Sequence, residues 1–236
     1  MLDNQHHRTI ALIGKENHHR LTCSTVMIIG LGAVGGYALE NLARIGVQNL
    51  IVVDFDTFEL SNINRQILAT HKTLNHPKTQ TAKDRILAIN PSANVTTHEL
   101  KLTPDNLDFI TSFKPDFVID AIDDTSAKTS LIEFLITNNI PFISALGAAL
   151  KYNPELLHTT TLDKTTSCPL AKKLRSQLKS QNLPLSQINV VYSLEPSTIC
   201  KDNNNQNILG SLPFVPMAMG AHLAHFAYLT LISKGE

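Results

Sequence analysis

What the chain lacks narrows its roles first. Tryptophan is absent, and the three cysteines, Cys23, Cys168 and Cys200, are odd in number and far apart. That gives no disulfide framework and points to a reducing compartment. None stands in C-x-x-C spacing, so a structural zinc site built from cysteines has no support. Neither charge is in excess, with 20 Lys plus Arg against 20 Asp plus Glu. A contact with nucleic acid must therefore come from a local patch, because the molecule as a whole has no field to attract one. No apolar run approaches about 18 residues, and the opening Met1-Leu-Asp-Asn-Gln-His-His-Arg8 has no apolar core of the signal-peptide kind. These gaps predict a cytoplasmic protein without stable membrane insertion. The 236 residues are enough to bury a full core as one α/β domain.

What is present is organised around Val26-Met-Ile-Ile-Gly30-Leu-Gly32-Ala-Val-Gly35-Gly36, an apolar run that breaks into glycines and continues as Tyr37-Ala-Leu-Glu-Asn-Leu-Ala-Arg-Ile45. It reads as strand, tight turn and helix. Gly30 permits the turn, Gly32 lets a ligand's phosphates approach the backbone, and Gly35 lets the helix pack on the strand. Amides at that helix N-terminus favour an anion. Alone, the pattern indicates a nucleotide and no more.

Asn49–Asp54 makes a second strand, ending in an acid where a carboxylate accepts from ribose hydroxyls; a turn aspartate is the alternative reading. The polar loop Phe55–Gln66 adds Asp56, Asn62, Arg65 and Gln66 as candidate nucleotide contacts. Arg65 and the later Lys78 are fixed cations suited to a triphosphate. A helix over about Thr79–Ile89 closes at Asn90-Pro91, and an edge strand follows from Val95. Phe117–Asp120 is a buried strand leading to Asp123 at the carboxyl edge, where ligands bind in open α/β sheets. Asp123 suits Mg²⁺ beside phosphates better than Asp120, which should point back along the strand. Thr125–Asn138 reads as helix, Ile140–Ser144 as strand, and Ala145–Ala149 as a small-residue turn close to the ligand.

Gly30–Gly35, Asp54, Ser61-Asn-Ile-Asn-Arg-Gln66, Lys78 after a proline, and Asp123 occur in one order. Together they resemble the ubiquitin-activating-enzyme superfamily of ATP-dependent adenylating proteins. The resemblance implies a Rossmann-like, doubly wound, mainly parallel sheet with helices on both faces and a small C-terminal extension. It implies that Asp54 holds the ribose of ATP, that Asn62, Arg65 and Lys78 grip the triphosphate, and that Asp123 binds Mg²⁺. A monovalent cation near the nucleotide is left open. In such enzymes a carboxylate attacks the α-phosphate, releasing pyrophosphate and leaving an acyl-adenylate, while the protein positions groups and neutralises charge.

The missing C-x-x-C pairs turn the resemblance away from activators of sulfur carriers. No loop cysteine offers a thioester relay either, since Cys168 precedes Pro169 and Cys200 sits in a polar stretch. Thr103-Pro-Asp-Asn106, Asp163-Lys-Thr165, Pro169-Leu-Ala-Lys-Lys-Leu-Arg175 and Val191-Tyr-Ser-Leu-Glu195 resemble the branch of tRNA threonylcarbamoyladenosine dehydratases. That branch implies adenylation of the threonyl carboxylate on a modified adenosine beside the tRNA anticodon, then ring closure with loss of AMP. An intramolecular nitrogen attack needs no protein nucleophile. The resemblance also implies a homodimer, in which Arg8 substitutes for an arginine that reaches the partner's ATP, and it leaves room for sulfur-transfer partner proteins. Adenylation of the C-terminus of a ubiquitin-like sulfur carrier is the alternative.

The chain thus divides into a helical leader over 1–24, a nucleotide-binding core over 25–150 and a substrate-facing, dimer-packing extension over 151–236. His6, His7, His18 and His19 in the leader read as a solvated helix face more readily than as a metal site. From Arg8 a short helix runs to Gly14 as its stop. Residues 170–180 form an amphipathic helix with Leu170, Leu174 and Leu178 inward and Lys172, Lys173, Arg175 and Lys179 facing water. Those cations are either a solvated face or a grip on the tRNA backbone. Phe214–Ile232, carrying His222 and His225, reads as a core or dimer helix.

Overall fold

The computed structural model describes residues 5–233. Its strands are β1 (Thr25–Ile29), β2 (Asn49–Asp54), β3 (Asn94–Glu99), β4 (Phe117–Asp120), β5 (Phe142–Ala145), β6 (Leu157–Thr161) and β7 (Asn189–Ser193). They form one sheet in the order β3-β2-β1-β4-β5-β7-β6. Every neighbouring pair is parallel except β6 and β7, which are antiparallel. A two-stranded ribbon joins β8 (Cys200–Lys201) to β9 (Asn207–Ile208). The helices are α1 (His7–Cys23), α2 (Gly35–Ile45), α3 (Lys78–Ile89), α4 (Phe109–Ser112), α5 (Thr125–Thr137), α6 (Pro169–Ser180) and α7 (Phe214–Ser233).

Strands apolar on both faces must be covered on both, and their alternation sorts them into two cores. Val26, Ile28, Leu50, Val52 and Ile119 turn to one face, where Leu39 and Leu42 of α2, Ile86 of α3 and Met219 and Leu223 of α7 cover them. Met27, Ile29, Ile51, Val53 and Val118 turn to the other, against Ile110 of α4, Leu131 and Leu135 of α5 and Leu174 and Leu178 of α6. This is the doubly wound arrangement expected of the sequence.

The C-terminal part is built into that sheet. β7 pairs with β5 and β6 closes the edge, so residues beyond 150 extend the sheet that the first half begins. Helix α7 is apolar all round, with mean hydropathy 1.3, and by length and composition alone could cross a membrane. Here Val215, Met219, Leu223, Ala227 and Leu231 are buried against the first core. Its close approach to α2 depends on Gly220, where a Cβ would fall 2.6 Å from the Val34 carbonyl oxygen.

Two local expectations change. Gly14 takes φ 82° and ψ 162°, but helix resumes beyond it and runs to Cys23, so the glycine kinks α1 instead of ending it. On α6 the buried positions are Ala171, Leu174 and Leu178, while Leu170 at the first turn is half-exposed. Ala171 and Leu170 stand three and four residues before Leu174, so both lie on the inward stripe; Ala171 is buried fully, and Leu170, at the helix start, packs against the same core only in part.

Candidate functional site

A cavity of about 860 Å³ runs along the carboxyl ends of β2, β1, β4 and β5. Each glycine of the β1–α2 turn meets a different demand. Gly30 has φ 92°, and a Cβ there would stand 2.6 Å from the Ala121 carbonyl oxygen. At Gly35 a Cβ would fall 1.8 Å from the Gly30 carbonyl oxygen. At Gly32 a Cβ would meet nothing within 4 Å, because this residue lines the cavity and its missing side chain leaves space open. No side chain caps α2, and Gly32, Ala33 and Val34 at its start line the cavity, so its amide end is available to an anion.

Asp54 is buried, and its carboxylate ties the turn to β2. Oδ2 accepts from the Leu31 N–H at 2.6 Å and Oδ1 from the Asp56 N–H at 2.9 Å. A carboxylate offers about four acceptor positions, so ribose hydroxyls can still be served. Lys78 opens α3, buried to 7% exposure, with Nζ 3.0 Å from Asp56 Oδ2. Arg65 donates to the Ser61 carbonyl at 2.8 Å and to Asn64 Oδ1 at 2.9 Å. Gln66 is buried on the cavity wall, and its Oε1 has no hydrogen-bond partner. Asp123 is exposed on the same wall.

The structure therefore brings Gly30, Gly32, Asp54, Asp56, Arg65, Gln66, Lys78 and Asp123 to one cavity. Asn62 is placed differently. It is buried in the 3-10 turn Leu60–Asn62, and its side-chain oxygen accepts from the Glu59 N–H at 3.1 Å, so its carboxamide shapes the loop and is not among the lining residues. Gly35 lies behind the wall as a packing residue. Arg8 is exposed on α1, and Lys172 and Lys173 are exposed on α6, all away from the cavity. Arg175 departs from the expected water-facing row: it folds back to donate to the Thr165 carbonyl at 2.8 Å and to Thr165 Oγ1. Its helical position turns it toward the segment preceding α6, where it serves as a strap.

The sequence reading missed Lys128. This residue of α5 is fully buried, its Nζ donating to Asp120 Oδ2 at 2.7 Å and to Ser144 Oγ at 3.0 Å, while Ser144 Oγ donates to Asp120 at 2.6 Å. Asp120 Oδ1 also accepts from the Ile122 N–H at 3.1 Å. Burial pushes the Lys128 ammonium below the ordinary lysine range, and Asp120 pulls it back. The network pins the ends of β4 and β5 beneath the cavity, leaving Asp123 as the carboxylate that faces it. The available signal was a lone cation in the apolar stripe of Leu131, Ile132 and Leu135.

Comparison with known proteins supplies the lineage. The ThiF family model matches residues 5–233. The tRNA threonylcarbamoyladenosine dehydratase of Bacillus subtilis is 33% identical over 205 residues, 87% of this chain and 80% of that protein. That of Escherichia coli is 36% identical over 172 residues, 73% of this chain and 64% of that protein. The fold is similar to that of the E. coli enzyme TcdA in complex with ATP, with TM-score 0.90 and 30% identity over 98% of this chain and 94% of that one. Because the family match takes in every described residue and the shared fold carries the same length of chain, the chain belongs to the ThiF family, on the branch of the tRNA threonylcarbamoyladenosine dehydratases.

Proposed function

We propose that this chain dehydrates N6-threonylcarbamoyladenosine in tRNA, consuming ATP through a carboxyl-adenylate. The observation that carries the reading is the cavity itself, where the glycine turn, Asp54, Arg65, Lys78 and Asp123 converge. Two features fit a nucleotide there: the space that a Cβ at Gly32 would enter, and the unpartnered buried oxygen of Gln66.

Asp54, already fixed by two backbone amides, accepts from the ribose. The open amides before α2 face phosphate oxygens, and Arg65 and Lys78 neutralise their charge. Lys78 is held by Asp56 before any ligand arrives, so little reorganisation is needed at the moment of reaction. Asp123 would hold Mg²⁺, which when bound would neutralise charge on the phosphates. Among the described residues no group of three or more His, Cys, Asp or Glu could hold a metal alone, so Asp123 would act on such an ion together with the bound nucleotide. The substrate carboxylate attacks the α-phosphorus as the bond to pyrophosphate breaks. A nitrogen of the carbamoyl group then attacks the acyl carbon, its proton passes to solvent, and AMP leaves. No step uses a thiol, so sulfur-transfer proteins enter only as binding partners.

Residues 151–236 form the substrate side of this unit, with Lys172 and Lys173 as its exposed cations on α6 toward tRNA phosphates. Exposed Phe214, Met217 and Leu229 on α7 suit a homodimer face, across which Arg8 reaches the partner's ATP. The reaction belongs in the cytoplasm, with its tRNA. Incubation with ATP, Mg²⁺ and tRNA carrying the modified nucleoside yields a nucleoside lighter by one water; unchanged mass with folded protein refutes the proposal. ATP–pyrophosphate exchange stimulated by a sulfur-carrier protein and not by tRNA assigns the chain to carrier activation instead.

A further inference from the structure

The cavity extends past the nucleotide-binding residues. Those come from the loops after β2, β1 and β4, whereas the wall beyond, at β5 and the start of α6, is lined by Gly147, Lys151, Cys168 and Leu170. Lys151 is only 4% exposed although it lines this open space. Its Nζ donates to the Glu195 backbone carbonyl. The Glu195 carboxylate is engaged elsewhere, accepting from the Tyr152 and Asn153 N–H groups at 2.9 Å. Among the described residues no carboxylate forms an ion pair with Lys151, whereas the fully buried Lys128 has Asp120 at 2.7 Å.

A buried ammonium whose hydrogen bond goes to a neutral carbonyl, with carboxylate charge only at longer range, is costly. Burial pushes the Lys151 ammonium below the ordinary lysine range, with Cys168 and Glu195 opposing. An ammonium has three donors, and the recorded hydrogen bond takes one. An anion entering at β5 relieves the cost and takes up the remaining donors. Phosphates are already provided for by Arg65, Lys78 and the glycine turn, which leaves the second substrate as the source of that anion. We propose that Lys151 is a positioning residue that holds the substrate's carboxylate beside the nucleotide before adenylation. This rests on the function proposed above. Because the carboxylate loses its charge as it becomes an acyl phosphate, the hold is strongest in the ground state and acts mainly on KM.

The test uses the full chain and its Lys151→Met, Lys151→Gln and Lys151→Arg variants. Wild type that yields no dehydrated nucleoside overturns the function itself; the variants address Lys151 alone. Lys151→Met is expected to raise KM for the modified tRNA at least about tenfold, the size of one lost charge-assisted hydrogen bond, with ATP affinity within about twofold and Lys151→Arg restoring most of it. Free threonylcarbamoyladenosine and its methyl ester, used as competitors, separate a carboxylate contact from mere packing. Wild type should favour the acid, and Lys151→Met or Lys151→Gln should bind both alike. An unchanged KM for tRNA, a matching loss of ATP affinity, or wild type that does not distinguish acid from ester overturns the assignment. The last measurement stands even where a variant fails to fold.

Discussion

Gly35 and Gly32 stand three residues apart, yet substitution should separate folding from binding. Gly35→Ala forces a methyl to 1.8 Å from a backbone oxygen that cannot move without dismantling the turn, so a loss of about 3 kcal/mol or more is expected, read as a lower urea midpoint. Gly32→Ala meets no protein atom; it should keep the wild-type midpoint while weakening ATP about tenfold in a binding titration. The two aspartates at the end of β4 divide the same way. Asp123→Ala, at an exposed position, should abolish dehydration with a stability change within about 0.5 kcal/mol. Asp120→Asn leaves the Lys128 ammonium without its charge partner and should cost about 3–5 kcal/mol in unfolding experiments. Finding the reverse pattern would exchange their roles.

Between elements, Glu40 of α2 ties its own helix to α3. Its carboxylate meets Arg44 Nη2 at 2.6 Å and Arg85 Nε at 3.0 Å. Burial alone would raise its pKa, but the Arg85 and Arg44 guanidiniums together hold the carboxyl below its ordinary 4.5. The folded state therefore binds the Glu40 proton more weakly than the unfolded chain. The resulting stability is complete above the unfolded value and is lost as pH falls through the lowered folded one. Acid unfolding monitored by circular dichroism should show this loss below about pH 4.5 in wild type and a flatter acid limb in Glu40→Gln. At neutral pH that variant should lose about 1–2 kcal/mol, a modest figure because both guanidiniums are about half exposed.

For the molecule as a whole, the cavity unites loops from four strands of one sheet, so a ligand there bridges elements that unfolding would separate. ATP at a hundred times its Kd should add about 2.7 kcal/mol and raise Tm by about 5–10 °C. NAD at the same concentration should leave Tm unchanged, because Arg65, Lys78 and Asp123 suit a triphosphate with its metal; an equal rise with NAD would return the site to dinucleotide binding.

The sequence by itself determined the elements whose signals are local. Four apolar residues followed by glycines specify β1, the turn and α2, because a glycine turn and a helical apolar stripe are short-range properties. The order of Asp54, Arg65, Lys78 and Asp123 along the chain likewise marked a nucleotide site, since each stands at or near a strand or helix end. Tertiary structure alone decided which of two chemically equal groups does what. Asn62 turned inward as a cap and Arg175 became a strap, because their hydrogen-bond partners, Glu59 and Thr165, are chosen by loop geometry. Lys128 and Lys151 look alike in sequence. Only the packed sheet gives one of them Asp120 and leaves the other facing a cavity, because burial and pairing of a charge depend on residues distant in the chain.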